Sequence, residues 1–322
     1  MLTAFLYEKG KPLTKEVSRA QMLAVLKRKD ILLWIDLENP TEFECEALIE
    51  IFNFHPLAIE DCIADKSSPK IDDYEEYLFM VMNALYVTPE EELATSEMEI
   101  FLGPNYVVTF HRSAISGVEQ VRTLVQKRPD TYLGRGSDIL FHALLDRLVD
   151  NFMPLIDRYD HKIDELEEHI FTDPPADYLG TVLQVKHDMF TLRRIIAPIR
   201  DAVHFLIRTP SPFIRSNHLI YFRDIYDHLF RIYGLAEAFH EAVASVLQAY
   251  FSYSSNKLNE GMRRMTVMAT LTMPFIIIAS IYGMNFEHMP ELSWKWGYPL
   301  SIVLSIGISV VMLVWMKLKK WI

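Results

Sequence analysis

Charge is absent from two long stretches near the end of the chain. Met265 to Phe286 runs for 22 residues, and Gly297 to Met316 for 20, without an Asp, Glu, Lys or Arg. At about 1.5 Å of helix per residue the first reaches about 33 Å, enough for a hydrocarbon core of about 30 Å. The second spans with little tilt. Two such runs in succession predict two transmembrane helices, not core helices of a soluble protein. Neither is N-terminal, so neither reads as a signal peptide.

The pattern upstream is different. Ile31–Leu37, Tyr77–Val87, Glu97–Leu102 and Tyr106–His111 are rich in β-branched and aromatic residues and predict strands. Thr41 followed by Glu44 has capping-box spacing and opens a helix, TEFECEALIEIF. Pro56 sits in the first turn of another, PLAIEDCIA, and a third is expected near 115–128. Residues 1–135 therefore read as a cytoplasmic α/β domain. Ser137 to Phe171 is helical in pattern throughout and ends before Pro174-Pro175. Tyr178–Ile207 runs back beside it after a short connection, so 136–212 read as an antiparallel helix pair. That pair is acidic: ten Asp/Glu against three Lys/Arg lie between Asp138 and Asp173.

After Pro212 no proline occurs until Pro274. Phe222, Ile225, Leu229, Ile232, Ala236, Phe239, Val243, Val246 and Tyr250 are spaced alternately three and four, a heptad stripe. The same stepping continues through Asn259, Met262, Thr266, Ala269, Met273, Ile276 and Ser280. Residues 213–286 are thus expected to form one stalk helix, about 100 Å long, that becomes the first span. Residues 287–296 form a short outer loop, and 297–322 the second span with a basic tail. Two spans cannot enclose a water-filled path, so a pore needs several copies around an axis, with the stalk stripe facing it.

The flanks set the orientation. Arg263 and Arg264 precede the first span and Lys317, Lys319 and Lys320 follow the second, while the loop carries Glu287 and Glu291 against Lys295. The positive-inside rule puts both termini in the cytoplasm of a multi-pass protein of the cell membrane. Trp294, Trp296, Tyr298, Trp315 and Trp321 fall where interfacial aromatic belts sit. The formal net charge of -11 argues against a nucleic-acid partner. Cys45 and Cys62 are too few for a disulfide scaffold. No carboxylate lies in either span and no G-x-x-x-x-G-K-[ST] loop is present, which favours passive movement of an ion over a proton relay or ATP-driven transport.

The first span ends Tyr282-Gly283-Met284-Asn285, and Met289-Pro290-Glu291-Leu292 follows in the loop. Upstream stand Phe54-His55-Pro56-Leu57 with Glu60-Asp61, then Tyr221-Phe222-Arg223-Asp224, then Ser255-Asn256-Lys257-Leu258-Asn259-Glu260. These blocks closely resemble the CorA magnesium transporter family from about residue 30 to the end. Gly-Met-Asn at the outer end of the first of two C-terminal spans is that family's signature. The resemblance implies a Mg²⁺ channel and not an enzyme, built as a homopentamer in membrane lipid, with Mg²⁺ both transported and regulatory.

Mg²⁺ dehydrates reluctantly, so its filter should offer neutral oxygens to a hydrated ion. A ring of Asn285 amides with the Gly283 carbonyls meets that need, braced by Tyr282 and Met284. The other reading of Asn285 is a helix C-cap. Glu287 and Glu291 would concentrate divalent cations at the mouth. Asn259, Met262, Met273, Ile276 and Ser280 would line the pore, the apolar ones as a constriction that gates by excluding water. Asp61 and Asp224 match the family's regulatory carboxylates. The resemblance implies that they face each other across a subunit boundary and bind the Mg²⁺ that holds the channel shut. Otherwise Asp61 is a helix-surface carboxylate and Asp224 pairs within its own chain.

Two positions depart from the family pattern. Ile276 stands where a threonine is common, and Gln248 where an acidic residue is found. Two other functions remain to be weighed. One is transport of Zn²⁺, Co²⁺ or Ni²⁺ by the same architecture, for which His288 beside the filter and the eleven histidines overall are the cues, though the histidines show no metal-ligand clustering. The other is a membrane-anchored cytosolic enzyme or signalling domain, for which the chain offers no G-x-S-x-G, no Gly-rich nucleotide loop and no paired nucleophile and base.

Overall fold

The computed structural model describes all residues except 1, 16, 29, 42–43, 45–49, 64–67, 90, 171, 173, 176, 320 and 322. Most of the helix expected from Thr41, with Cys45, lies outside the described residues, as does Lys320 of the basic tail. The capping pair itself is present: the Glu44 amide donates to Thr41 Oγ1 at 3.3 Å and the Thr41 amide to Glu44 Oε2 at 2.9 Å. The chain divides into a unit of Met1–Val246 and a unit of Leu247–Ile322.

The first unit is built on six strands: β1 (Leu2–Glu8), β2 (Ile31–Glu38), β3 (Lys70–Asp73), β4 (Leu78–Val87), β5 (Leu93–Leu102) and β6 (Tyr106–His111). Their order is β1-β2-β6-β5-β4-β3, with β2 and β6 parallel and every other pair antiparallel. Parallel pairing of β2 with β6 needs a long crossover, and the chain from 39 to 105 supplies it. Strands β2 and β6 are buried along nearly their whole length, so both faces of the sheet centre are covered. One face carries Leu33, Ile35, Leu37, Phe79, Phe101 and Val108, which pack with α1 (Arg19–Val25) and α2 (Pro56–Ile63). On the other lie α3 (Ser116–Lys127) and α4 (Ser137–Asp150). Strands β1 and β3 and helix α1 are not foreseen from sequence pattern. β3 is four residues long and β1 alternates only weakly in burial, so neither carries a strong period-2 signal.

The helical run expected over Ser137–Phe171 is two helices, α4 and α5 (Met153–His169), broken at Asn151-Phe152. Pro154 in the first turn of α5 has no amide to donate, so the ladder restarts there. Helix α6 (Tyr178–Arg208) leads towards α7 (Leu219–Tyr282), a single helix of 64 residues. The entry to α7 is pinned by Asp138, which is 2% exposed. It accepts from His218 Nδ1 at 2.8 Å, from the Arg215 amide at 3.2 Å and from Arg215 Nε at 3.0 Å. Gly136 holds φ at +112°, and a Cβ there would collide with the Arg215 guanidinium.

One charged residue lies at the centre of the sheet. Asp36, fully buried in β2, accepts from Thr109 Oγ1 at 2.5 Å and Arg122 at 2.5 Å, and pairs with His111 Nε2 at 3.2 Å. Burial alone would raise its pKa, but these partners outweigh that and hold it below the ordinary carboxylate range. Burial would likewise lower His111, and Asp36 reverses this and raises it. A lowered acid stabilises above its unfolded pKa of about 4 and loses that effect in acid. A raised histidine stabilises below about 6.5 and loses it as pH climbs through the folded value. The network is therefore strongest in mildly acidic solution. Asp36→Ala takes the buried carboxylate from His111 and one partner from Arg122, which keeps Glu119 at 2.7 Å, and should cost about 3 kcal/mol, a fall of about 10 °C in the apparent melting temperature of the full chain in detergent. A change under about 2 °C would show the network to be dispensable.

Candidate ion pathway

The stalk stripe has two different environments. In the first unit Phe222, Ile225, Leu229, Ile232, Ala236, Val243 and Val246 are all buried within the chain itself. Phe222 packs on Phe141 of α4 at 5.8 Å. Farther along, Arg193 of α6 pairs with Glu237 at 3.2 Å, and Arg200 stacks over Tyr233 at 4.7 Å. The lower stripe is thus core of the chain itself, which corrects the expectation of a stalk stripe that faces an axis along its whole length. The heptad spacing recorded a buried face without saying what covers it.

In the second unit the same stripe is bare. Asn259, Met262, Thr266, Ala269, Met273, Ile276 and Ser280 are all exposed. The positions of the first span that are at least half-buried are Val267, Thr270, Leu271, Pro274 and Ile278, on a different face. They face α8 (Gly297–Leu318), the second span. The residues of α8 that are covered are Ser301, Ser305, Ser309, Met312 and Met316. Serine at every fourth position lets two helices approach closely, and Ser309 Oγ donates across to the Leu271 carbonyl at 2.9 Å. This serine row was legible in the sequence as small-x-x-x-small spacing but is easily passed over among apolar neighbours.

Helix α7 stops at Tyr282. The Gly283 amide donates to the Ala279 carbonyl at 2.9 Å and the Met284 amide to Ile281 at 3.3 Å, after which the ladder ends. Gly283 is not in the left-handed region; a Cβ there would stand 3.1 Å from the Ala279 carbonyl oxygen, so close packing on the last turn is what favours glycine. Asn285 lies three residues beyond the last helical residue, with φ outside the left-handed region, so it does not occupy the cap position. It is exposed, and among the described residues its amide has no hydrogen-bond partner. Glu287 is exposed, and Glu291 is the second residue of a short turn at Pro290–Ser293. A cavity of 530 Å³ between the outer ends of the two spans is lined by Tyr282, Gly283, Glu291, Trp294, Tyr298 and Ser301.

The two regulatory candidates sit apart in sequence and on different helices of the first unit. Asp61 on α2 pairs with Lys70 at 2.6 Å, so it is not a bare surface carboxylate. Asp224 on α7 makes no ion pair among the described residues, which removes the expected alternative of a bridge to Arg223. It stands instead near His142 and Asp146 of α4. Burial pushes Asp146 up, and the like charges of Asp150 and Asp224 add to this. Burial pushes His142 down. Nothing in the spacing of Asp146 distinguishes it in the sequence from the other acids of that helix. Among the described residues no three His, Cys, Asp or Glu converge to hold a metal ion.

Comparison with known proteins agrees with this layout. The model of the family described as "CorA-like Mg2+ transporter protein" matches residues 29–320. The cobalt/magnesium transport protein CorA of Thermotoga maritima is 36% identical over 274 residues, 85% of this chain and 78% of that protein. The magnesium transport protein CorA of Mannheimia succiniciproducens is 26% identical, over 90% of this chain and 92% of that one. The complete structure of the CorA magnesium transporter from Methanocaldococcus jannaschii superposes with a TM-score of 0.85 over 99% of this chain and 98% of its own, at 20% identity, which attests the fold. With an α/β unit, a long helix and two apolar C-terminal helices in the family's order, the chain belongs to the CorA family.

Proposed function

We propose that this chain is one subunit of a ring-shaped homo-oligomer, a pentamer on the family's pattern, that conducts Mg²⁺ across the cell membrane. Both termini lie in the cytoplasm, on the side of the basic flanks. The observation that carries the reading is the position of Gly283-Met284-Asn285 immediately beyond the first apolar helix, at the end of a stripe that the chain's own second span leaves uncovered. Copies arranged about an axis bury that stripe and bring the Asn285 amides into a ring. The amide oxygens accept hydrogen bonds from the waters of a hydrated Mg²⁺, and the ring of Glu287 and Glu291 raises the cation concentration before it. The membrane potential supplies the drive: about 4.6 kcal/mol for a divalent ion at 100 mV.

The reading is tested in proteoliposomes. Mg²⁺ uptake should follow an inside-negative potential without ATP and exceed Zn²⁺, Co²⁺ and Ni²⁺ uptake measured in parallel. The pore-mouth groups favour that order, because carboxylate and amide oxygens suit a hard ion and no thiolate lies near them. Zn²⁺ uptake without Mg²⁺ uptake would replace Mg²⁺ by a transition metal, and no uptake of any cation would sink the channel reading. Control is assigned to Asp61 and Asp224 of neighbouring subunits. Each is half of a divalent site, and Mg²⁺ shared between them holds the ring closed.

A further inference from the structure

The carboxylate assigned to the sensor already has a cation. Lys70, the first residue of edge strand β3, places its ammonium 2.6 Å from Asp61 Oδ2 and 3.1 Å from Asp72 Oδ2. The same ammonium lies 5.9 Å from the centre of the Phe79 ring, an aromatic face that also favours a cation. Side-chain exposures are 40% for Lys70 and 26% for Asp61, so the contact is shielded but reachable from solvent. The backbone fixes the arrangement. Lys70 and Asp72 are separated by one residue on β3, so both project from the same side of the strand, towards α2, whose last turn carries Asp61.

We propose that Lys70 is a tethered counter-ion that competes with Mg²⁺ for Asp61 and thereby sets the cytosolic Mg²⁺ concentration at which the channel closes. The inference rests on the assignment of Asp61 to the regulatory site. While the Lys70 ammonium holds Asp61 Oδ2 at 2.6 Å, its charge repels a Mg²⁺ approaching the same carboxylate, and an ion that takes Oδ2 must displace it. Asp72 is where the displaced ammonium goes. It keeps Lys70 paired when Asp61 turns to the metal, and so lowers the cost of the exchange. The pair also explains how Asp61 avoids an uncompensated charge when the site holds no Mg²⁺.

The two partners of Lys70 therefore have opposite effects. Lys70→Met keeps the apolar stem over Phe79 and removes the competitor. It should lower the half-inhibitory cytosolic Mg²⁺ about three- to tenfold, the range expected for one or two partly exposed ion pairs. Asp72→Asn leaves Lys70 committed to Asp61 and should raise the half-inhibitory concentration. Lys70→Arg keeps the charge and should stay near the wild-type value. Flux through the full-length protein in proteoliposomes, normalised to flux at zero cytosolic Mg²⁺ for each variant, separates gating from folding. Asp61→Ala is measured alongside. If it abolishes inhibition while Lys70→Met and Asp72→Asn leave the threshold unchanged or shift it the same way, Lys70 is not the competitor and the sensor assignment stands. If Asp61→Ala is inhibited like the wild type, the sensor assignment fails and this inference with it.

Discussion

Asn285→Ala should reduce Mg²⁺ flux at least about 100-fold while leaving the protein folded and assembled. The size follows from symmetry. In the proposed ring, one substitution removes an amide from every subunit, and each hydrogen bond to the hydrated ion would contribute about 0.5–1.5 kcal/mol. Several lost together exceed the roughly 2.7 kcal/mol that a 100-fold change requires. The protein should survive because Asn285 holds nothing in place: it is exposed, lies beyond the last turn of α7, and has no hydrogen-bond partner among the described residues. Asn285→Gln keeps the amide but lengthens its reach by one methylene, and should retain a small part of the flux. The measurement is Mg²⁺ uptake into proteoliposomes at matched protein, with elution volume in detergent as the control for assembly. Uptake by Asn285→Ala equal to that of the wild type would remove the amide ring from the mechanism.

The parts of this architecture that were legible in the sequence are those set by local chemistry. Strand β6 was read at its observed bounds, Tyr106–His111, because every residue of it is buried and strongly strand-forming. The two spans were legible because absence of charge over 20 residues has few other meanings. Strand β3 was missed because its stability comes from pairing with β4 and not from its own composition, which includes two aspartates. The heptad stripe of α7 was visible, but its partner was not: periodicity reports that a face is covered, and long-range packing decides by what. The lower half is covered by the chain itself and the upper half is left bare. The same limit applied to the sites. The motif marks Asn285 and the Glu60-Asp61 pair marks Asp61, whereas Lys70 and Asp146 acquire meaning only when β3 brings Lys70 beside Asp61 and α4 brings Asp146 near Asp224. Asp36 could have been suspected, since an acid in the middle of ILLWIDLE must be paired if that segment is a buried strand.

Replacing both Asp61 and Asp224 by alanine should make the Mg²⁺ flux insensitive to cytosolic Mg²⁺ at concentrations that close the wild type. In the proposed ring, one Lys70 ammonium is shared by Asp61 and Asp72 when no ion is present, so with Asp224 opposite the boundary keeps an excess of negative charge that loosens it. A divalent ion between them converts the repulsion to attraction and draws neighbouring subunits together. Asp224 has no ion pair of its own among the described residues and stands near Asp146, a carboxyl whose pKa burial and the neighbouring Asp150 and Asp224 raise. A cation arriving there relieves Asp224 and Asp146 together, so the response to Mg²⁺ should be steeper than one carboxylate pair would give. Alanine at both positions removes the repulsion and the ligand at once. The ring then has no Mg²⁺-dependent term, and the half-inhibitory concentration should move beyond the millimolar range. Asp224→Ala alone should already blunt the response, since Asp61 retains Lys70 and offers the ion little without its partner. Asp146→Asn should keep inhibition but make it shallower. Flux measured against cytosolic Mg²⁺ for the three variants gives the outcome. Inhibition of the double variant at the wild-type concentration would mean that the closing ion binds elsewhere.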